Sequence, residues 1–262
     1  MENCSKKHEP KRALIAVSFG AASPEAERAV NQLENALDIP GYDLFRAYTS
    51  QKIRERLRRE RGACVFSLQE QLEALEKAGY EEIFCQPLMV SKGMEYQKLL
   101  ADLTQYASRF RLVKTGEPLL SQEKDYLACS LLMEKMVQKQ EDEAVVWMFH
   151  GREGSYSREC EKLNTLFQRK GRKDFVIGAM KGRPSFEDTY RRLVAAGYRK
   201  VVLLPFLLTV GVHVKKDLAG EHRDSWKSRF CQKGYEVRVL FKGLGEYDEI
   251  CKLFCKHAEE AK

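Results

Sequence analysis

His150 and His213 each sit just past a buried apolar run that breaks at a glycine, a place where an imidazole can bind a cation or move a proton. His150 follows VVWMF and precedes Gly151; His213 follows KVVLLPFLL and the turn Thr209-Val210-Gly211. Borderline divalent ions such as zinc or cobalt accept neutral imidazole nitrogen, so two histidines at neighbouring strand ends read as a metal pair. The competing reading is a backbone-satisfied histidine at 150 and a plain loop histidine at 213. A third ligand to such an ion is normally a carboxylate. Glu95, on the loop before a helix, could ligate or accept protons from a substrate nitrogen, or simply compensate the helix dipole.

These residues are positioned by a repeat. AGYEEIFCQPLMVSKGMEY (78–96) and AGYRKVVLLPFLLTVGVHV (196–214) align without gaps, matching Pro87 to Pro205, Gly93 to Gly211 and Glu95 to His213. RALIAVSFG (12–20) and AVVWMFHG (144–151) echo one another in the same way. The repeat predicts an α/β fold of two pseudo-symmetric parallel-sheet halves, 1–140 and 141–262, joined at the short polar run QEDE (140–143). Strands are expected at 13–19, 43–48, 82–90, 111–114, 145–149, 175–180, 200–207 and 236–241. Helices are expected at 25–37, 51–59, 68–77, 96–110, 123–139, 157–168, 185–195, 214–233 and 248–260. Open α/β sheets bind ligands at the carboxyl ends of their strands, where the three named residues fall.

Composition narrows the function. Hydrophobic content of 44% with 32% charged residues describes a globular chain, and 45 Lys and Arg against 38 Asp and Glu give a modest net charge of +7. The only basic run, KIRERLRRER (52–61), carries interspersed glutamates and reads as a solvated helix face, so no nucleic-acid partner is expected. No run approaches the length of a membrane span, and MENCSKKHEPKR lacks a following signal-peptide core, so a cytoplasmic protein without membrane insertion is expected. Its eight cysteines are scattered without C-x-x-C and read as free thiols, although Cys251 and Cys255 share a helical face. His8, His222 and His257 read as surface groups. There is no G-x-G-x-x-G loop, P-loop or G-x-S-x-G elbow, which removes most support for nucleotide-dependent chemistry and serine hydrolysis.

Over essentially its whole length the chain resembles the anaerobic sirohydrochlorin cobaltochelatases, the CbiK-type class II chelatases. The resemblance is carried by ALIAVSFGAAS, YDLFRAYTSQKIRERLRRERG, SLQEQLEALEKAGYEEIFCQPLMVSKGMEY, GEPLL, VVWMFHG, RKVVLLPFLLTVGVHVKKDLAGE with DSWKSRF, and KGLGE, in that order. It implies two α/β domains similar to those of ferrochelatases, with a tetrapyrrole in a central cleft. It further implies insertion of a divalent metal, Co²⁺ in the family, into sirohydrochlorin without nucleotide, as a step of anaerobic cobalamin biosynthesis. His150 and His213 match the family's metal-ligand histidines.

One position departs from the pattern. Where the family reads G-x-V-E-x-x-P this chain reads GAMKGRP, so Lys181 stands in place of the ligand glutamate. Even two like unit charges about 4 Å apart repel by about 4 kcal/mol at an effective dielectric near 20, so an ammonium there opposes a cation. Lys181 could ligate only as a neutral amine, or it could bind a carboxylate arm of the macrocycle, leaving the metal role to Glu95, Glu187 or Asp188. Arg152, Lys181, Arg183 and Lys215 would then form a cationic rim for the substrate's carboxylates, against the alternative of ordinary surface basicity. The expected reaction is metal insertion with His150 and Glu95 catalytic, His150 and His213 holding the ion, and Fe²⁺ or Ni²⁺ as other candidate metals. The rival expectations are a divergent chelatase with another metal or tetrapyrrole, and a tetrapyrrole carrier without insertion activity. Whether the chain forms a homo-oligomer is left open.

Overall fold

The computed structural model describes residues 9–261, apart from the side chains of Val212 and His213. Strands β1 (Arg12–Ser18), β2 (Asp43–Tyr48), β3 (Glu82–Pro87) and β4 (Leu112–Thr115) form one sheet in the order β2-β1-β3-β4. Strands β5 (Glu143–Tyr156), β6 (Phe175–Arg183), β7 (Lys200–Pro205) and β8 (Glu236–Val239) form the other in the order β6-β5-β7-β8. Every pairing is parallel. The expected α/β class is therefore present, and the two sheets repeat one topology.

Parallel strands require crossovers, and helices supply them. In chain order these are α1 (Pro24–Ala36), α2 (Gln51–Arg61), α3 (Leu68–Lys77), α4 (Met94–Tyr106), α5 (Glu123–Lys135), α6 (Arg158–Arg169), α7 (Phe186–Ala196), α8 (Val212–Ala219), α9 (Trp226–Gln232) and α10 (Asp248–Ala261). The central strands are covered on both faces, which is why they read as unbroken apolar runs; residues from Ala13 to Val17 and from Ala144 to Met148 are fully buried. On one face of the first sheet, Leu72 and Leu75 of α3 and Leu99 and Leu103 of α4 pack with Ile15, Val17 and Ile83. In the second, Phe186 and Leu193 of α7 and Trp226 and Phe230 of α9 pack with Val146, Val176 and Leu203.

Strand order fixes where a ligand can sit. From β1 the chain moves outward to β2 and returns on the other side to β3; from β5 it does the same through β6 and β7. Each sheet thus reverses direction between its two central strands, and that reversal opens a crevice at their carboxyl ends. The helices after β3 and β7 begin alike, on Gly93 and Gly211 in extended conformation with no side-chain cap. Glu95 and His213 are each the second residue of the helix so formed.

The chain packs as two compact units. The first comprises Met1–Ala22, Glu34–Pro118 and Phe254–Lys262, and the second Ser23–Leu33 and Leu119–Leu253. Most of α1 therefore belongs to the unit of the second sheet, and the last turns of α10 to that of the first.

Two segments depart furthest from the sequence expectation. The helical stretch expected at 214–233 is two helices, because Gly220 ends α8 and the Ser225 hydroxyl accepts the Ser228 amide to start α9. The strand expected at 145–149 does not stop at Gly151 but runs on to Tyr156 beside β6. Among the described residues no helix is long and apolar enough to cross a membrane.

Candidate functional site

β5 delivers His150 to its position. Trp147 and Met148 are fully buried and Phe149 nearly so, whereas His150 is exposed. β5 pairs with β7 as far as Met148 opposite Pro205, and with β6 beyond that point. His150 thus emerges where the two central strands of the second sheet part, at the topological switch. Its Nδ1 lies 2.9 Å from the Gly151 carbonyl oxygen. A carbonyl can only accept, so the contact assigns the ring hydrogen to Nδ1 and leaves the Nε2 lone pair for a cation or a proton. The backbone-satisfied reading holds for one ring nitrogen, and the other remains available.

Beyond His150 the chain makes a wide bulge. Gly151 pairs with Lys181 and Tyr156 with Arg183, so residues 152–155 loop out against the two-residue advance of β6. Glycine is needed on both strands. A Cβ on Gly151 would lie 1.9 Å from the Lys181 carbonyl oxygen, and one on Gly182 would lie 2.3 Å from that of Arg152. Both residues also hold φ in the left-handed region, at +68° and +80°. The bulge is therefore pressed onto the backbone of the KGR segment.

The register separates Lys181 from His150. With Phe149 opposite Ala179 and Gly151 opposite Lys181, His150 is level with Met180 and strand alternation puts Lys181 on the other face of the pair. Lys181 is exposed. Arg152 donates from Nε to the Ser155 hydroxyl at 2.9 Å, which folds its side chain along the bulge. Arg183 is held by Asp188 at 3.0 Å, and Asp188 also accepts from the Ser185 amide and hydroxyl in the capping box of α7. Arg183 and these donors, opposed by burial, hold the Asp188 carboxyl down at about 2. Lys215 is half-buried on α8, with its ammonium 4.0 Å from Glu25 of α1.

Of the carboxylates that could replace the missing glutamate, two are already engaged. Asp188 serves the α7 cap, and Glu187 pairs with Arg229 at 3.1 Å. Both carboxylates are thus paired with arginines in this structure. Glu95 is exposed on the first turn of α4. Among the described residues no group of three or more His, Cys, Asp and Glu gathers in metal-holding geometry; the His213 side chain lies outside that description.

Sequence reasoning missed three features. A cavity of about 350 Å³ is lined by Tyr156, Glu161, Arg183, Asp188, Arg191 and Arg192, within which Arg192 pairs with Glu161 at 2.7 Å. Gln86 is completely buried in β3 and donates to the carbonyls of Pro87 and Glu117; a lone amide in the run EIFCQP was the visible signal. His257, read as a surface group, is buried on α10 with Nδ1 3.3 Å from the Glu117 carbonyl oxygen. His222 is half-buried, with Nε2 2.8 Å from the Lys216 carbonyl oxygen. The thiols of Cys251 and Cys255 donate separately to the carbonyls of Gly245 and Ala36. Cys85, Cys129 and Cys160 are buried, and desolvation pushes each thiol up from its ordinary value. Cys4 and His8 lie outside the described residues.

Two repeated four-stranded parallel sheets are a fold shared with solved sirohydrochlorin chelatases. SirB from Bacillus subtilis with Fe³⁺ superposes with a TM-score of 0.64 at 17% identity, covering 95% of each chain. The sirohydrochlorin chelatase SirB of Bacillus subtilis subspecies spizizenii in complex with cobalt gives 0.60 at 14% identity, covering 95% of this chain and 94% of the other. At such identities the likeness shows the fold. Within that class the chain belongs to the cobalt chelatase (CbiK) family, whose model matches residues 12–262. The sirohydrochlorin cobaltochelatase of Salmonella typhimurium is 31% identical over 255 residues, 96% of each chain. The sirohydrochlorin cobaltochelatase CbiKC of Nitratidesulfovibrio vulgaris is 28% identical over 260 residues, covering 96% of this chain and 90% of the relative.

Proposed function

We propose that this protein inserts a divalent metal ion, cobalt by preference, into sirohydrochlorin without nucleotide, as a step of cobalamin biosynthesis. The observation that carries the proposal is His150 at the β5–β7 switch point, with Nε2 unengaged, in a chain of the cobalt chelatase family. The names of two relatives that span nearly the whole chain supply the substrate.

In this reading His150 Nε2 and the His213 imidazole receive the ion, which keeps exchangeable positions for the macrocycle nitrogens. Metal entry displaces two pyrrole protons, since a neutral free-base macrocycle takes up M²⁺ and releases two H⁺. Glu95 accepts the first and passes it to water, returning as carboxylate for the second. Lys181, Arg152 and Lys215 attract the carboxylate arms of the macrocycle, while Arg183 acts chiefly through Asp188. Imidazole rather than thiolate ligation suits an ion that must leave the protein within a turnover.

The test is spectrophotometric. Purified protein mixed with sirohydrochlorin and Co²⁺ should change the macrocycle absorption faster than the protein-free mixture, and His150→Ala should bring the rate back to that of the mixture alone. A shifted spectrum on binding with no gain in rate would instead identify a tetrapyrrole carrier. The ammonium at Lys181 favours one further reading, a chelatase with a different metal preference, and parallel assays with Fe²⁺ and Ni²⁺ decide between them.

A further inference from the structure

Spacing on α7 gathers charge at the outer end of the β5–β6 pair. Asp188, Arg191 and Arg192 stand at i, i+3 and i+4, so they share one face of the helix. The neighbouring face, with Phe186 and Leu193, is packed into the core of the second sheet. Tyr156 and Arg183, opposite one another where β5 and β6 end, join Glu161 of α6 in enclosing the cavity of about 350 Å³ against those α7 residues. All of its lining belongs to the unit of the second sheet.

Three guanidinium groups meet two carboxylates in this lining, which leaves one positive charge in excess. Two of the three are fixed in place. Arg183 donates from Nε and Nη2 to the two oxygens of Asp188, at 3.2 and 3.0 Å, and Asp188 is itself held by the Ser185 cap. Arg192 donates from Nη2 to Glu161 at 2.7 Å, tying α7 to α6. A guanidinium carries five N–H donors in a rigid fork, so each of these two still has donors to offer once its carboxylate is served. Arg191 is exposed and, among the described residues, makes no hydrogen bond or ion pair. The unbalanced charge therefore falls to a group without a partner, beside two guanidinium groups that are already ordered. Such prior ordering lowers the cost of taking up an anion.

Size and surface select among anions. The cavity falls within the range of about 300–1,000 Å³ typical of sites for small organic molecules, more than a bare inorganic oxyanion fills. One wall is aromatic, the ring of Tyr156, which is 58% exposed. A planar carboxylate matches the guanidinium fork, and a flat apolar body suits the ring. We infer that this cavity is a binding site for an organic acid, its carboxylate received by Arg191 with the free donors of Arg183 and Arg192, and its body laid against Tyr156. Two sources offer that chemistry, a carboxylate arm of a tetrapyrrole and a separate small acid. The inference does not depend on where a metal ion is held.

Calorimetric titration of the metal-free protein with benzoate, and with benzyl alcohol as its uncharged counterpart, tests the assignment. Benzoate should bind at one site, and benzyl alcohol about tenfold more weakly or worse. Arg191→Gln should weaken benzoate binding by about tenfold or more, the scale of losing one charge-assisted contact. The position is exposed and unpartnered among the described residues, so the variant should keep the parent fold. Competition with metal-free sirohydrochlorin identifies the source. Displacement of benzoate by the macrocycle, with Arg191→Gln weakening both, assigns the cavity to an acid arm; benzoate binding undisturbed by saturating macrocycle assigns it to a separate acid. Equal benzoate affinity in the parent and Arg191→Gln overturns the inference, as does benzyl alcohol binding as tightly as benzoate, or no benzoate binding at millimolar concentration. No metal insertion is measured, so failure here leaves the proposed function standing, and failure of insertion leaves the cavity to be judged by the titration.

Discussion

At the scale of single residues, His150 and Glu95 do different work, and variants can separate them. In the proposed reaction His150 handles the ion, so its loss should remove metal binding and turnover together. Glu95 accepts protons in the proposed reaction, so Glu95→Gln should lower kcat for cobalt insertion by about a hundredfold, the usual worth of a positioned base. KM for the macrocycle and Co²⁺ affinity without it should stay near those of the parent. A Glu95→Gln enzyme with parental kcat and weakened Co²⁺ affinity would reassign the residue as a ligand. The histidines and Glu95 stood out in the sequence because each lies where an apolar run breaks at a glycine. The engagement of Glu187 and Asp188 was not, because their partners Arg229 and Arg183 are fixed by how α9 and β6 pack against α7. Charge pattern alone left Glu187 and Asp188 open as ligands beside Glu95.

At the scale of elements, the ends of the central strands were legible and the bulge was not. Buried parallel strands declare themselves as apolar runs, and the matched Pro87–Gly93 and Pro205–Gly211 spacings marked where helices α4 and α8 begin. GREGSY has neither alternation nor apolar content, so its continued pairing with β6 becomes visible only in three dimensions. The cap of α7 holds the far end of that pair and gives a pH-dependent prediction. The Asp188 carboxyl sits at about 2, held chiefly by Arg183, below the value near 3.9 of an unfolded aspartate. Its contribution is therefore complete above about pH 4 and lost as pH falls towards about 2. Asp188→Asn should cost about 1 kcal/mol at neutral pH and reduce the slope of stability against pH on that acid limb, as read by urea midpoints. An unchanged acid limb would mean that the pairing contributes nothing to folding.

At the scale of the whole molecule, the chain crosses between its compact units more than once. The segment Ser23–Leu33 packs with the second sheet's unit and Phe254–Lys262 with the first sheet's. The division at 1–140 and 141–262 follows the sequence repeat, and we propose it as a division of ancestry. Separating the chain there would strip each unit of a helical segment that completes it, so the units are expected to unfold together. Both tryptophans, Trp147 and Trp226, are buried in the second unit, so their fluorescence follows that unit while far-UV circular dichroism follows both. The two thermal transitions should coincide; a circular-dichroism transition that begins well before the fluorescence change would show the first unit melting alone.

The sequestered thiols have a further consequence for a protein of this family. A molecule that repeatedly meets borderline divalent cations, which also accept thiolate, risks capture of its own cargo by sulfur. Cys85, Cys129 and Cys160 are sealed in apolar surroundings where the thiolate is disfavoured, and Cys251 is turned onto a backbone carbonyl. The packing that makes the core also keeps these sulfurs from competing with imidazole, and leaves the exposed Cys64 and Cys231, among the described residues, as the thiols within reach of a metal ion.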